Sequence, residues 1–142
     1  MSMRQGHGVE FTIGQSASIT RMVSTEDVEA FARLSGDTNP VHLDEAYAEK
    51  TRFGQRIAHG AIALAYISAV LGSHFPGPGT IYLSQKASFK KPVYHGDVLT
   101  ATVTVSGYRA ERSILTLATE VRNADGAVVV EGEAVCLVSE VD

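Results

Sequence analysis

The amino-acid sequence predicts an α+β fold in which an antiparallel sheet of about five strands wraps around a long central helix. Three observations lead to it. From Ile81 onward apolar and polar residues alternate with period two, as in strands that bury one face. The first half instead carries helical spacing and helix-capping signals. Within that half, Ala61 to Leu71 places Ala, Ile, Leu, Tyr and Val on all sides, so this helix should be buried all round. From His59 to Gly72 it would span roughly 20 Å, and a buried helix this short needs something wrapped around it. With 142 residues and no linker-like composition, the chain reads as one domain, 1–142, large enough for its own core. Residues 1–8 are expected to form a flexible N-terminus.

The elements follow in order. Ser16 to Met22 alternates weakly and reads as a first strand. Ser24-Thr25-Glu26-Asp27 has the form of a capping box, with Ser24 as N-cap and an acid three residues on. Val28, Phe31, Ala32 and Ser35 keep helical spacing, Leu34 widens the apolar face, and Gly36 suits the C′ position. Asp44 can cap a short helix through Lys50, ending near Phe53-Gly54. After the central helix, Gly77-Pro78-Gly79-Thr80 lacks the lysine of a phosphate loop and reads as the turn before a strand. Ile81, Leu83, Ala87 and Phe89 alternate with Tyr82, Ser84, Lys86, Ser88 and Lys90, until Pro92 and His95-Gly96-Asp97 interrupt. Leu99, Ala101, Val103 and Val105 alternate with Thr100, Thr102, Thr104 and Ser106. Leu115, Leu117, Thr119 and Val121 continue the pattern, and Ala124-Asp125-Gly126 marks a hairpin turn. Val128 to Val138 is apolar on both faces for much of its length, as a central strand would be.

Composition narrows the function classes. A formal charge of −4 argues against a nucleic-acid binder, which would show a basic face. Lys90-Lys91, Arg52 and Arg56 could still form a local patch for an anionic ligand, or be ordinary solvated charges. The single cysteine, Cys136, permits no internal disulfide and reads as a small buried hydrophobe. Met1 to Gly8 shows no signal-peptide pattern, and the longest apolar run falls short of the ~20 residues that cross a bilayer. A cytoplasmic protein with no membrane contact is expected.

Ionisable groups concentrate in one place. Asp37-Thr38-Asn39-Pro40-Val41-His42-Leu43-Asp44 puts two carboxylates, an amide and an imidazole into one short stretch, and His59-Gly60 opens the central helix, which carries the hydroxyl of Ser68. An acid and a base beside a helix start with free backbone N–H groups are the parts needed for proton transfer on a carbonyl compound. Each residue also has a plainer reading. Asp37 and Asn39 can cap turns, Asp44 can be an N-cap, His59 can be structural at the helix start, and Ser68 can bond back to the carbonyl of Leu64. His7, His74 and His95 have no acidic partner at a suggestive spacing and read as surface residues. No metal is expected: the calcium-loop pattern fails at Val41, and His42-x-Asp44 with His59 matches zinc poorly. No Gly-x-Ser-x-Gly surrounds Ser68, which argues against a serine hydrolase.

The combination decides between these readings. Asp37-x-Asn39-Pro40-x-His42-x-Asp44, with Arg52-Phe53-Gly54, Ile57-Ala58-His59-Gly60 and Ser68, resembles the (R)-specific enoyl-CoA hydratases, the MaoC-like dehydratases. The resemblance continues through Gly79-Thr80-Ile81-Tyr82, Phe89-Lys90-x-Pro92-Val93, Gly96-Asp97 and Gly132-Glu133-Ala134, from about Ser24 to Val138. It implies the hot-dog fold, a sheet around a central helix, paired into a homodimer. It also implies reversible hydration of trans-2-enoyl-CoA to (R)-3-hydroxyacyl-CoA, with coenzyme A as part of the substrate and no other cofactor. Residue by residue, Asp37 matches the catalytic aspartate and His42 the catalytic histidine that together hold and activate water. Gly60 matches the glycine whose backbone N–H binds the thioester oxygen, and Ser68 a serine supporting the aspartate or the water. Asn39 matches the signature asparagine that orients the loop, and His59 stands as a supporting residue. Leu71 and Val135, with Ser68, are candidates for the acyl-chain lining. Asp37 and His42 lie five residues apart with Pro40 between them, so a turn held by Asn39-Pro40 must bring them together. The competing readings are a 3-hydroxyacyl-thioester dehydratase of an elongation pathway, a hot-dog thioesterase and a non-catalytic acyl-CoA-binding domain.

Overall fold

Five strands, β1 (Ser16–Met22), β2 (Ile81–Phe89), β3 (Val98–Arg109), β4 (Ile114–Arg122) and β5 (Val128–Leu137), form one antiparallel sheet in the order β1-β3-β4-β5-β2. The helices are α1 (Thr25–Ser35), α2 (Pro40–Leu43), α3 (Glu45–Glu49) and α4 (Gly60–Ala69). The computed structural model describes residues 10–138, so the expected flexible N-terminus, residues 1–8 with His7, lies outside the described residues.

α1 starts where its capping signals stand. The Ser24 hydroxyl accepts from the Asp27 N–H at 3.0 Å while the Asp27 carboxylate accepts from the Ser24 N–H at 3.1 Å. Gly36 ends it with φ 82°, a left-handed conformation glycine takes without a Cβ penalty. Two short helices follow: α3 stands where a helix from Asp44 to Lys50 was expected, and α2 precedes it. Asn39 caps α2 by accepting from the Val41 N–H at 3.1 Å, and Pro40 fills its first position, where a missing N–H costs nothing. Asp44 caps α3 through the Tyr47 N–H at 3.1 Å, the structural role expected of it.

α4 packs on the sheet and runs into a π-helical turn, Val70–His74. It is not buried all round, contrary to expectation. Ile62, Ala63, Tyr66, Ile67, Val70 and Leu71 are buried with Leu99, Ala101, Val103 and Val105 of β3, Leu115, Leu117 and Val121 of β4, and Ala134 and Cys136 of β5. Gly60, Ala61, Ala65, Ser68 and Gly72 form an exposed stripe on the other side. A sheet covers one side of a helix, and uniform hydropathy carries no mark of which side that is; the large residues and Ala63 face the sheet, and the other small ones of the stripe face away. β2 also departs from its alternation. Its register against β5 shifts between Tyr82 and Ser84, and Ile81, Leu83 and Phe89 are 52%, 50% and 56% exposed on this edge strand. Cys136 is buried as expected, and burial pushes its thiol up to about 11. No helix among the described residues is long and apolar enough to cross a membrane.

Candidate active site

The segment after α1 is bent by two successive side-chain-to-backbone turns. Asp37 Oδ1 accepts from the Asn39 N–H at 3.2 Å, and Asn39 then caps α2. This places His42 on a single helical turn facing inward, while Asp37 stays on the exposed loop. The expected Asn39-Pro40 turn is therefore real, and its product is the one-turn helix α2.

Hydrogen bonds to carbonyls fix both ring tautomers. His42 Nδ1 lies 2.8 Å from the Ile57 carbonyl oxygen, which can only accept, so Nδ1 carries the proton and Nε2 is left as an acceptor. His59 Nε2–H donates to the Asp37 carbonyl at 3.0 Å, and its Nδ1 is buried without a hydrogen-bond partner among the described residues. The two rings stack with centroids 3.9 Å apart. Burial is the largest influence on His42 and lowers its pKa below 6.5; its bond to Ile57 opposes this, His59 adds to it, and the Asp37 charge opposes it.

His95 joins this group and is not the surface residue that its spacing suggested. Its Nε2–H donates to the His42 carbonyl at 3.0 Å, and its Nδ1 accepts from the Thr25 hydroxyl at 3.1 Å. The cause is the turn at 94–97: the Tyr94 N–H donates to the Asp97 carboxylate at 2.9 Å and the Gly96 N–H to the Val23 carbonyl at 2.6 Å. That turn folds His95 between the start of α1 and α2, a long-range contact with no local signal in the sequence. His74 is exposed, as expected.

Gly60 opens α4 at the positive end of the helix dipole; of the first-turn N–H groups, that of Ile62 donates back to the His59 carbonyl at 3.0 Å. His59 occupies the N-cap position but makes no side-chain capping bond. A cavity of about 460 Å³ reaches this helix start; His42, Phe53, Ile57, Gly60, Phe89, Lys90, Lys91, Val93 and Val130 are among its lining residues. A Cβ on residue 60 would lie 2.8 Å from the Phe89 ring, so any larger residue here requires that ring to move. Of the basic residues, Arg56 pairs with Glu45 at 3.0 Å and Lys90 with Glu131 at 3.4 Å.

The structure brings Asp37, His42 and His59 together, with their ligating atoms within 4.8 Å of one another, and sets Gly60 beside His42 on the cavity. Stacked rings send their in-plane lone pairs side by side rather than toward one point, a poor geometry for a shared metal ion. Ser68, Leu71 and Val135 do not line this cavity. Ser68 is exposed about 12 Å along α4 from Gly60, and the back-bond to Leu64 is not among its contacts. Leu71 is in the core at 1% exposure. Val135 pairs with Ser84 and Thr116, on the sheet face opposite to its core neighbours Ala134 and Cys136.

An antiparallel sheet packed on one helix, with Asp37 and His42 gathered beside that helix's N-terminus, defines the hot-dog class of proteins. Residues 9–126 match the MaoC like domain, and the chain belongs to this family. It is 51% identical over 125 residues to an (R)-specific enoyl-CoA hydratase of Rhodospirillum rubrum, a match covering 88% of this chain and 86% of that protein. An (R)-specific enoyl-CoA hydratase of Aeromonas caviae is 45% identical, over 87% of this chain and 92% of that one. The unliganded structure of an R-hydratase from Pseudomonas aeruginosa superimposes with a TM-score of 0.90 at 41% identity, covering 99% of this chain and 88% of that one.

Proposed function

We propose that this protein is a hydro-lyase that reversibly hydrates trans-2-enoyl-CoA to (R)-3-hydroxyacyl-CoA. The observation that carries the reading is the Asp37–His42 pair beside the Gly60 end of α4 at an apolar cavity. Relatives that share 51% and 45% of the aligned residues are named for this reaction. The thioester oxygen accepts from the Gly60 N–H at the positive helix end. A water between Asp37 and His42 donates one hydrogen to the carboxylate and the other to His42 Nε2. As its oxygen bonds to C3, the O–H bond to the carboxylate side breaks, and negative charge develops on the thioester oxygen. Asp37 then delivers that proton to C2 on the same face, the enolate collapses, and the carboxylate is restored.

No metal or cofactor beyond the substrate's coenzyme A takes part in this scheme, since Asp37 and His42 supply both proton-transfer groups. A cytoplasmic, single-domain protein belongs to the proposal. So does a homodimer, supported by two uncovered apolar features: the free edge of β2 with Ile81 and Leu83, and the α4 stripe of Ala61, Ala65, Ser68 and Gly72. Chain-length roles for Ser68, Leu71 and Val135 rest on the sequence alone, for the first two on lying one turn apart on the central helix, and the geometry favours the cavity residues Phe53, Ile57, Val93 and Val130.

The test is turnover of crotonyl-CoA and longer enoyl-CoA substrates. Loss of the enoyl absorbance with formation of the (R)-3-hydroxyacyl product is expected, unaffected by chelators. Release of free coenzyme A without hydration would identify a thioesterase instead, and tight acyl-CoA binding with no turnover a binding domain.

A further inference from the structure

We propose that His59 is a positioning residue that holds the two members of the acid–base pair in place, Asp37 through its backbone carbonyl and His42 through the face of its ring. This rests on the hydratase reading above. His59 occupies the N-cap of α4, where Ser, Thr, Asp or Asn would accept from the helix's first N–H groups. It makes no such bond. Among the described residues, the one hydrogen bond of its ring instead crosses 22 residues to the Asp37 carbonyl at 3.0 Å. Its ring lies between His42 at 3.9 Å and Phe31 at 4.8 Å, centroid to centroid, and is 3% exposed.

The cost of this arrangement is visible. His59 Nδ1 is buried without a hydrogen-bond partner, an arrangement that folding alone gives no reason to keep. What the ring gains is a hold on both ends of the segment from Asp37 to His42. The middle of that segment is already fixed by Asn39, through its bond to Val41 and the Asp37 carboxylate's bond to the Asn39 N–H. Asp37 otherwise stands on an exposed loop, and its carbonyl is the atom that ties the loop to the buried ring. Reacting groups displaced by about 1 Å lose turnover steeply, so such a tie acts on kcat more than on substrate affinity.

Two substitutions separate positioning from packing. His59→Phe keeps a flat ring between His42 and Phe31 but has no donor for Asp37, whereas His59→Gln keeps a planar amide whose N–H can reach the same carbonyl. With crotonyl-CoA, His59→Phe should lose about tenfold or more in kcat with KM within about twofold, and His59→Gln should recover to within about threefold of the unsubstituted enzyme. Wild-type kcat in His59→Phe, or equal losses in the two folded variants, would overturn the proposal. Should His59→Phe not fold, His59→Leu, smaller and equally without a donor, carries the same expectation. A second readout needs no turnover: backbone ¹⁵N relaxation should show residues 37–39 loosened in His59→Phe and unchanged in His59→Gln. An equally rigid loop in all three proteins would overturn the proposal. Failure of the unsubstituted protein to hydrate enoyl-CoA would overturn the hydratase reading and leave this loop measurement to decide the role of His59.

Discussion

His42 and His59 each give one ring N–H to a backbone carbonyl, and that fixes what each can do with a proton. With Nδ1–H held by Ile57, neutral His42 offers Nε2 as an acceptor for water. Asp37→Asn and His42→Ala should therefore each lower kcat by at least about 10²-fold while the far-ultraviolet circular dichroism stays unchanged; near-normal turnover in both would sink the assignment. Burial lowers the His42 pKa below 6.5, so the acceptor form persists at pH values where a free imidazole is already charged. The acid limb of the kcat/KM profile that belongs to His42 should have its midpoint below 6.5, and a midpoint above it would contradict the neutral-acceptor role. At Gly60 the argument is steric. A methyl there would lie 2.8 Å from two Phe89 ring carbons, and it would occupy the approach to the helix N–H groups. Gly60→Ala should lower kcat/KM by about 10²-fold or more, the loss typical of an impaired oxyanion site, when assayed with crotonyl-CoA.

The caps of α1 were legible because their signals are local: Ser24 with Asp27, and Gly36, act within three or four residues. The Asx turn at Asp37 and the cap at Asn39 were legible for the same reason. The helix capped by Asp44 was legible too, as α3, whereas α2 before it was not, because Asn39-Pro40 reads only as a turn. His95 was misread because its partners, Thr25 and His42, are 70 and 53 residues away. Alternation placed β2 but not its buried face, because the register shift at Tyr82/Ser84 depends on β5. The tightest constraint between elements lies along that same pair of strands. A Cβ on Gly132 would stand 1.8 Å from the Lys86 carbonyl oxygen and 2.7 Å from its carbon, both backbone atoms that cannot rotate away. Gly132→Ala should cost more than about 3 kcal/mol, beyond the ordinary range for a single substitution. A urea midpoint close to that of the unsubstituted protein would show that the strands can separate without penalty.

The sheet wrapped around α4 was readable in the whole chain because strand periodicity and an apolar helix are properties of long segments. Which side of α4 the sheet leaves open was not, since hydropathy there is nearly uniform and size is a partial guide: Ala61, Ala65, Ser68 and Gly72 are exposed while Ala63 is buried. The same fold makes stability depend on pH through two histidines that bridge separate segments. His42 and His95 both have pKa values lowered from 6.5, chiefly by burial, with Arg56 further disfavouring charge on His95; its bond to the His42 carbonyl and nearby Glu45 oppose the shift, and His42 itself adds slightly to it. The unfolded chain takes up protons on both near pH 6.5, whereas the folded protein does so only at lower pH. Between those values the unfolded state binds more protons, so stability rises with pH across that window. The contribution is fully present above about pH 6.5 and is lost as pH falls through the folded values. Urea midpoints measured from pH 8 to pH 5 should therefore decline on the acid side. His95→Asn, which removes one of the two groups and keeps an amide near the Thr25 hydroxyl, should make that decline shallower. A decline equally steep in the variant would mean that His95 protonates alike in the folded and unfolded chain, and that its burial between α1 and α2 carries no linkage to folding.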